Sequence, residues 1–304
     1  MAMTSKEKKG RFGKRKTRRV IFIIIPFVLI LALAIIYTRR ETPPEKRPDL
    51  PEVYPPVPQA EKKAEEKKVE ETKKEEKKEP EKPSYPRLAL IIDDGGYNTD
   101  TFKRMLGVGK RMTFAILPNT PHGKEAALMA HRAGCEVMLH LPMEPKEEEM
   151  YSLERDTVLT GMKPAEIQRI LRHDLEQIPF VRGVNNHMGS KATEDPKVMQ
   201  ALMAALKKEK LYFIDSRTSP QSLGPEAARK AGVAFWQNDR FLDREENLEK
   251  IKKAARSAMR KAKKEGKAVA IGHPHPLTAR AIREMIPELE KEGIRLVFAS
   301  EVVG

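Results

Sequence analysis

From Arg87 onward the chain repeats one pattern. A short apolar run is followed by a longer stretch with apolar residues at helical spacing, and then the next run begins. The runs are LALII (88–92), TFAILP (113–118), EVMLHL (136–141), FVRGV (180–184), LYFID (211–215), VAFWQ (233–237), AVAIG (268–272) and RLVFA (295–299). Runs that are apolar at nearly every position suit strands covered on both faces, as in a parallel sheet. In KPAEIQRILRHDLEQI, Ile167, Ile170, Leu171 and Leu175 share one helical face. DPKVMQALMAALKKEK opens on Asp195 as a cap, has Pro196 in its first turn and closes on lysines. KEAALMAHRAG, REENLEKIKKAARSAMRKAKKEG and PLTARAIREMIPELEKEG each end at a glycine suited to a left-handed cap. Such alternation predicts parallel strands joined by helical crossovers. Seven or eight repeats within residues 87–304 predict an α/β fold, a compact (β/α) barrel. The alternative is an open doubly wound sheet, which no glycine fingerprint for a dinucleotide favours.

The pattern changes before Arg87. VIFIIIPFVLILALAIIY, residues 20–37, is eighteen residues without a charge. That is near the length needed to cross about 30 Å of hydrocarbon. Residues 1–19 hold nine Lys/Arg and one Glu, whereas only Arg39 and Arg40 follow the run directly. This bias predicts a single-pass anchor in the inner (cytoplasmic) membrane, with a basic cytoplasmic tail at 1–19. The domain from Arg87 is then periplasmic or otherwise extracytoplasmic. No small-x-small cleavage site follows the run, so it reads as an anchor rather than a removed signal. Residues 38–86 read as a spacer. Seven prolines fall within 41–58 and favour extended geometry. The Glu/Lys-rich stretch after them has almost no apolar surface to bury.

Charge refines this reading. The chain carries a formal net charge of +14, of which residues 1–19 contribute +8, residues 38–86 nothing and the remainder +6. The basicity is therefore largely that of a tail, and it argues against a nucleic-acid-binding domain. The single cysteine, Cys135, excludes a disulfide within the chain and reads as packing.

The chemistry gathers at the predicted strand ends, where barrels of this kind place functional groups. The first strand runs into Asp93 and Asp94 and then two glycines. Adjacent carboxylates disfavour each other's ionisation, and a bound cation is the simplest compensation. Later ends carry His122, then His140 with Glu144, then NNHMGSK with Asn186 and His187. Asp215 with Arg217, the segment QNDRFLD with Asp239, Arg240 and Asp243, and GHPHP with His273 and His275 follow. Blander readings exist. Asp94 or Asp215 could simply cap the next helix. His131 and His173 lie on predicted helices, and His122 and His275 are turn candidates. His140 closes an apolar strand, and His187 is predicted in a polar loop on the same rim. With one carboxylate these imidazoles form a two-His, one-carboxylate set suited to Zn²⁺ or a similar divalent ion, with a position open for water.

The ordered motifs IIDDGG, HLPME, NNHMGS, FIDSRT, RFLD and AIGHPHP resemble the divergent polysaccharide deacetylase family. That family is a branch of the NodB-like carbohydrate esterases, which share an irregular (β/α) barrel. The resemblance spans roughly Arg87 to Gly304. It implies Asp93 as general base, Asp94 as metal ligand and His273 as general acid. The NodB-like second motif supplies two metal histidines four residues apart. Here the matching positions are His140 and Glu144, so His187 is the expected third ligand and Glu144 the alternative. The arginine motif of the fourth strand is absent. Asn186, Asp215, Arg217 and Asp243 are expected to orient the catalytic groups or hold sugar hydroxyls. The implied activity is metal-dependent removal of acetyl groups from peptidoglycan or another envelope polysaccharide, with Zn²⁺ as the expected metal. The competing readings are an inactive glycan- or protein-binding module on the same fold and a tethered scaffold with a structural polar rim.

Overall fold

The computed structural model describes residues 85–146 and 152–303. The expected membrane segment at 20–37 and nearly all of the spacer lie outside the described residues. Among the described residues no helix is long and apolar enough to cross a membrane.

The apolar runs form strands β1 (Arg87–Gly95), β2 (Thr113–Ile116), β3 (Glu136–Met143), β4 (Val181–Met188) and β5 (Tyr212–Asp215). They continue as β6 (Phe235–Gln237), β7 (Arg240–Phe241), β8 (Lys267–Gly272) and β9 (Arg295–Val297). Every pairing is parallel, in the order β6-β5-β4-β3-β2-β1-β8-β7, and β9 also pairs with β1. The crossovers are helices α1 (Thr99–Leu106), α2 (Gly123–Arg132), α3 (Pro164–Gln177), α4 (Pro196–Lys208), α5 (Gly224–Ala231), α6 (Leu248–Glu265) and α7 (Pro276–Lys291). The sheet curves into a half-barrel, as the strand–helix repeats predict.

Alternation along each strand separates two apolar layers. Leu88, Leu90, Ile92, Phe114, Leu139, Val184 and Phe213 pack outward against the helices. Ala89, Ile91, Ala115, Met138, Ile214, Val269 and Ile271 fill the concave side. The strand alanines of this inner layer, Ala89 and Ala115, suit the tight space inside a curved sheet. The edge strands β6 and β7 share no ladder among the described residues, yet the two residues between them bridge the seam. Asn238 N donates to Asp215 O at 2.8 Å, and Asp239 N donates to Val269 O at 3.0 Å. Asp239 Oδ2 also accepts from Val269 N and Trp236 Nε1.

Several boundaries differ from expectation. β4 extends to Met188, so His187 stands in a strand and not in a loop. Pairing with β3 carries the polar NNHM along, His187 opposite Pro142 and Met188 opposite Met143. On α3 the core stripe is Ile167, Ile170, Leu171 and Asp174, with Leu175 only partly buried. At α4 the Asp195 carboxylate caps Lys197 N and Val198 N, as the sequence predicts.

Candidate metal and acid–base site

In a regular strand two adjacent side chains point to opposite faces, so Asp93 and Asp94 should diverge. β1 prevents this. Its register against β2 shifts between Ile92 and Gly95, and Asp94 adopts a φ of 57°. An aspartate tolerates this left-handed conformation better than most residues. Alternation brings Asp93 inward with Ala89 and Ile91, and the irregularity brings the Asp94 carboxylate to the same mouth. Gly96 then turns the chain at a φ of 120°, where an added Cβ would lie 2.2 Å from Thr120 Oγ1.

β3 and β4 supply the facing imidazoles. His140 follows inward Met138, and Asn185 and His187 share the inward face of β4. Asp94 Oδ1 lies 3.2 Å from His140 Nε2 and 3.2 Å from His187 Nδ1. The two nitrogens are 3.1 Å apart. The triangle is nearly equilateral, with edges that three ligands of one ion at about 2.0–2.2 Å would have.

The donor chemistry fits a cation. Asn185 Nδ2 donates to Asp93 Oδ1 at 2.8 Å and to Ser216 Oγ at 3.3 Å. A carboxylate only accepts, so this fixes the orientation of the amide. Asn185 Oδ1 then accepts from His140 Nδ1 at 2.8 Å. The neutral tautomer this selects leaves a lone pair on His140 Nε2. That lone pair faces Asp94 Oδ1, a buried oxygen with no hydrogen-bond partner. Protons and divalent cations compete for these atoms. Burial would raise the Asp94 pKa, but the adjacent His140 and His187 imidazoles outweigh it and hold the carboxyl well below the usual range. Burial would lower His140, but the charges of Asp93 and Asp94 push it upward. Asp93, 2% exposed, is raised chiefly by burial.

His273 closes the mouth from the end of β8. Its Nδ1 donates to Asp243 Oδ1 at 2.9 Å, and its backbone N donates to Asp243 Oδ2 at 2.7 Å. Thr278 Oγ1 also donates to Asp243 Oδ2. His273 Nε2 lies 3.8 Å from Asp94 Oδ2. Burial would lower the His273 pKa, but Asp243, Asp93 and Asp94 raise it to about 9. At neutral pH this imidazolium is a proton donor whose Nε2–H faces the carboxylate pair.

The other expected site residues sit elsewhere. Glu144 does not join the triangle: its carboxylate binds Lys191 Nζ at 2.6 Å and Thr160 N at 2.5 Å. Asn186 occupies the opposite face of β4, accepting from Ser216 N and donating to Met188 O. Asp215 follows outward Phe213, and its Oδ1 caps Arg217 N. Arg217, at a φ of 57°, donates to Pro220 O. These residues shape the turn after β5. Asn185 and Ser216, one position away from Asn186 and Asp215, are the ones that reach the cluster. Parity could have identified Asn185, since it lies two residues before His187 on one strand. His275, Asp243 and His273 also place ligand atoms within 4.8 Å of one another. His131 stacks on Phe180 away from these groups, with ring centroids 3.8 Å apart.

Comparison with known proteins agrees with this architecture. The chain is 38% identical over 218 residues to YibQ of Escherichia coli (strain K12), an uncharacterised protein, covering 72% of this chain and 67% of that one. It is 32% identical over 211 residues to an uncharacterised protein of Haemophilus influenzae, covering 69% and 74%. Its fold matches the crystal structure of the uncharacterised protein ATU2773 from Agrobacterium tumefaciens C58, with a TM-score of 0.68 at 22% identity over 72% of this chain and 89% of that one. Residues 90–303 match the family model described as divergent polysaccharide deacetylase, and the chain belongs to that family.

Proposed function

We propose that this protein is a membrane-anchored, metal-dependent deacetylase that removes acetyl groups from an envelope polysaccharide. The observation that carries the reading is the triangle of Asp94, His140 and His187, with Asp93 and His273 beside it. The uncharged run at 20–37 and the basic tail before it support the anchor.

Asp94 Oδ1, His140 Nε2 and His187 Nδ1 would hold the ion, and their donor set suits Zn²⁺. Bound there, the metal supplies Lewis acidity that polarises the acetyl carbonyl and acidifies water. Asp93 serves as general base. Asn185 holds its Oδ1, which leaves Oδ2 to take the proton of the attacking water. Its raised pKa brings it nearer to the working pH, which favours proton transfer. His273 serves as general acid. Asp243 holds its Nδ1–H, so the Nε2–H is the proton delivered to the departing sugar amine. A C–O bond to water oxygen forms, the C–N bond breaks, and acetate and a free amine leave. Tyr97, 50% exposed and tied through its hydroxyl to Glu154, offers a ring on the rim for the face of a sugar.

The test is acetate release from acetylated peptidoglycan and from oligo-N-acetylglucosamine by the purified full-length chain loaded with Zn²⁺. Release is expected that chelation abolishes and zinc restores. Release unchanged by chelation, or no release with zinc bound stoichiometrically, would overturn the proposal.

A further inference from the structure

A groove of about 450 Å³ lies along the barrel seam, between β7 and α6. Arg217, Arg240, Arg244, Lys250, Lys253 and Arg260 line it. Two acids accompany them, and neither neutralises the set. Glu245 is ion-paired with Lys250. Asp239 is turned to the seam, where it accepts from Val269 N and Trp236 Nε1 and faces Lys261 Nζ at 3.4 Å. Among the described residues Arg240, Lys253 and Arg260 have no carboxylate within ion-pair distance. Arg244 lies over the Phe241 ring, 4.9 Å from its centroid. Uncompensated like charges in a concavity repel one another and focus a field that attracts anions. Four of the six are arginines, whose planar forks match oxyanions in bidentate fashion.

The groove adjoins the mouth through the chain itself. Arg217 follows Ser216, whose hydroxyl accepts from Asn185. Leu242, in the groove lining, precedes Asp243, which holds His273. Groove and mouth thus share two stretches of chain, 216–217 and 242–243. We propose that this groove binds the oxyanion groups of an anionic glycan, so that the polymer deacetylated at the mouth carries phosphate or carboxylate nearby. The inference rests on the deacetylase reading and adds the class of substrate to it.

Two probes test the anion chemistry in the full-length chain in detergent: inorganic tripolyphosphate, and an oligosaccharide alternating glucuronate with N-acetylglucosamine. Stronger binding of the first marks phosphate as the preferred group, and of the second, carboxylate. The triple variant R240Q/K253Q/R260Q is expected to weaken binding of the preferred probe about tenfold or more. R172Q/K208Q/K291Q removes the same charge from other exposed positions and should leave affinity unchanged. R240K/R260K keeps the charge and should retain most of the binding, which separates anion capture from misfolding. In acetate release the groove variant should raise KM for the glucuronate oligosaccharide at unchanged kcat. Neutral oligo-N-acetylglucosamine should be unaffected. Equal losses in both triple variants, no loss in the groove variant, or the same KM change on both glycans would overturn the inference. If no glycan releases acetate while anion binding still depends on the groove, the deacetylase reading falls and the anion site stands.

Discussion

Asp93 at the barrel mouth and Asp174 in the helix layer are both buried carboxylates whose pKa burial pushes upward. Their surroundings differ. Asp93 receives a hydrogen bond from Asn185 and faces His140 and His273. Asp174 takes a core position of α3, fully buried, with neither carboxylate oxygen hydrogen-bonded. Asp156 adds to its upward shift, and Arg169 opposes it only in part. Burial alone therefore does not mark a functional group, because both residues have it. What separates them is a set of oriented partners, and at the mouth these partners converge on one point. The mouth should respond to substitution in chemistry, and the helix layer in stability.

The sharpest way to break this contrast is to remove a triangle corner. Asp94→Asn or His140→Ala should abolish stoichiometric zinc binding and lower acetate release at least about 10³-fold. Metal content by elemental analysis and acetate release check it together. Asp174→Asn in the same assays should leave both near wild type, and a comparable loss there would erase the distinction. Next in size is Asp93→Asn, which removes the base and keeps the ligands. A loss of about 10²–10⁴-fold in kcat with full zinc content is expected. A loss of zinc as well would make Asp93 a ligand and not a base.

Asn185→Ala should weaken zinc binding about 10–100-fold, since the amide fixes the His140 tautomer and restrains Asp93. A competition titration against a chelator measures it. Asp243→Asn acts on the acid. Asp243 is the foremost group raising His273, whose pKa stands at about 9. His273 must be protonated to act, so activity falls on the alkaline side as it loses its proton. With Asp243 neutral, that limb of the kcat profile should move toward neutral pH. An unmoved limb would assign it to another group.

The sequence made the half-barrel legible because apolar runs and helical stretches alternate cleanly from Arg87. It also brought His140, His187, Asp93, Asp94 and His273 forward, through polar residues ending greasy strands and through family motifs. Three features were hidden. Adjacent aspartates cannot both face inward in an ideal strand, and only the register shift and the φ of Asp94 show how they do. The polar NNHM reads as a loop, yet pairing with β3 keeps it extended and puts Asn185, not Asn186, beside His140. The basic groove draws on the turn after β5, the seam and one face of α6, which no single stretch of sequence displays.

The smallest expected effect on activity is the one that isolates the helix layer. The folded-state pKa of Asp174 is about 8, against an ordinary value of 3.8. Below that ordinary value both folded and unfolded chains hold the proton, and ionisation adds no cost. As pH rises through 4 the unfolded chain releases its proton while the folded one keeps it. Stability from this group therefore falls steadily until pH reaches about 8, beyond which the penalty is constant. Asparagine in its place does not titrate. Asp174→Asn should accordingly leave kcat unchanged and stabilise the domain increasingly between pH 4 and 8, by about 5–6 kcal/mol at the upper end. Thermal unfolding of the two chains across that range measures it. A gain that is flat with pH would show that Asp174 is ionised in the folded state. In that case an unseen partner would satisfy it, and the helix layer would treat its carboxylate much as the mouth treats Asp93.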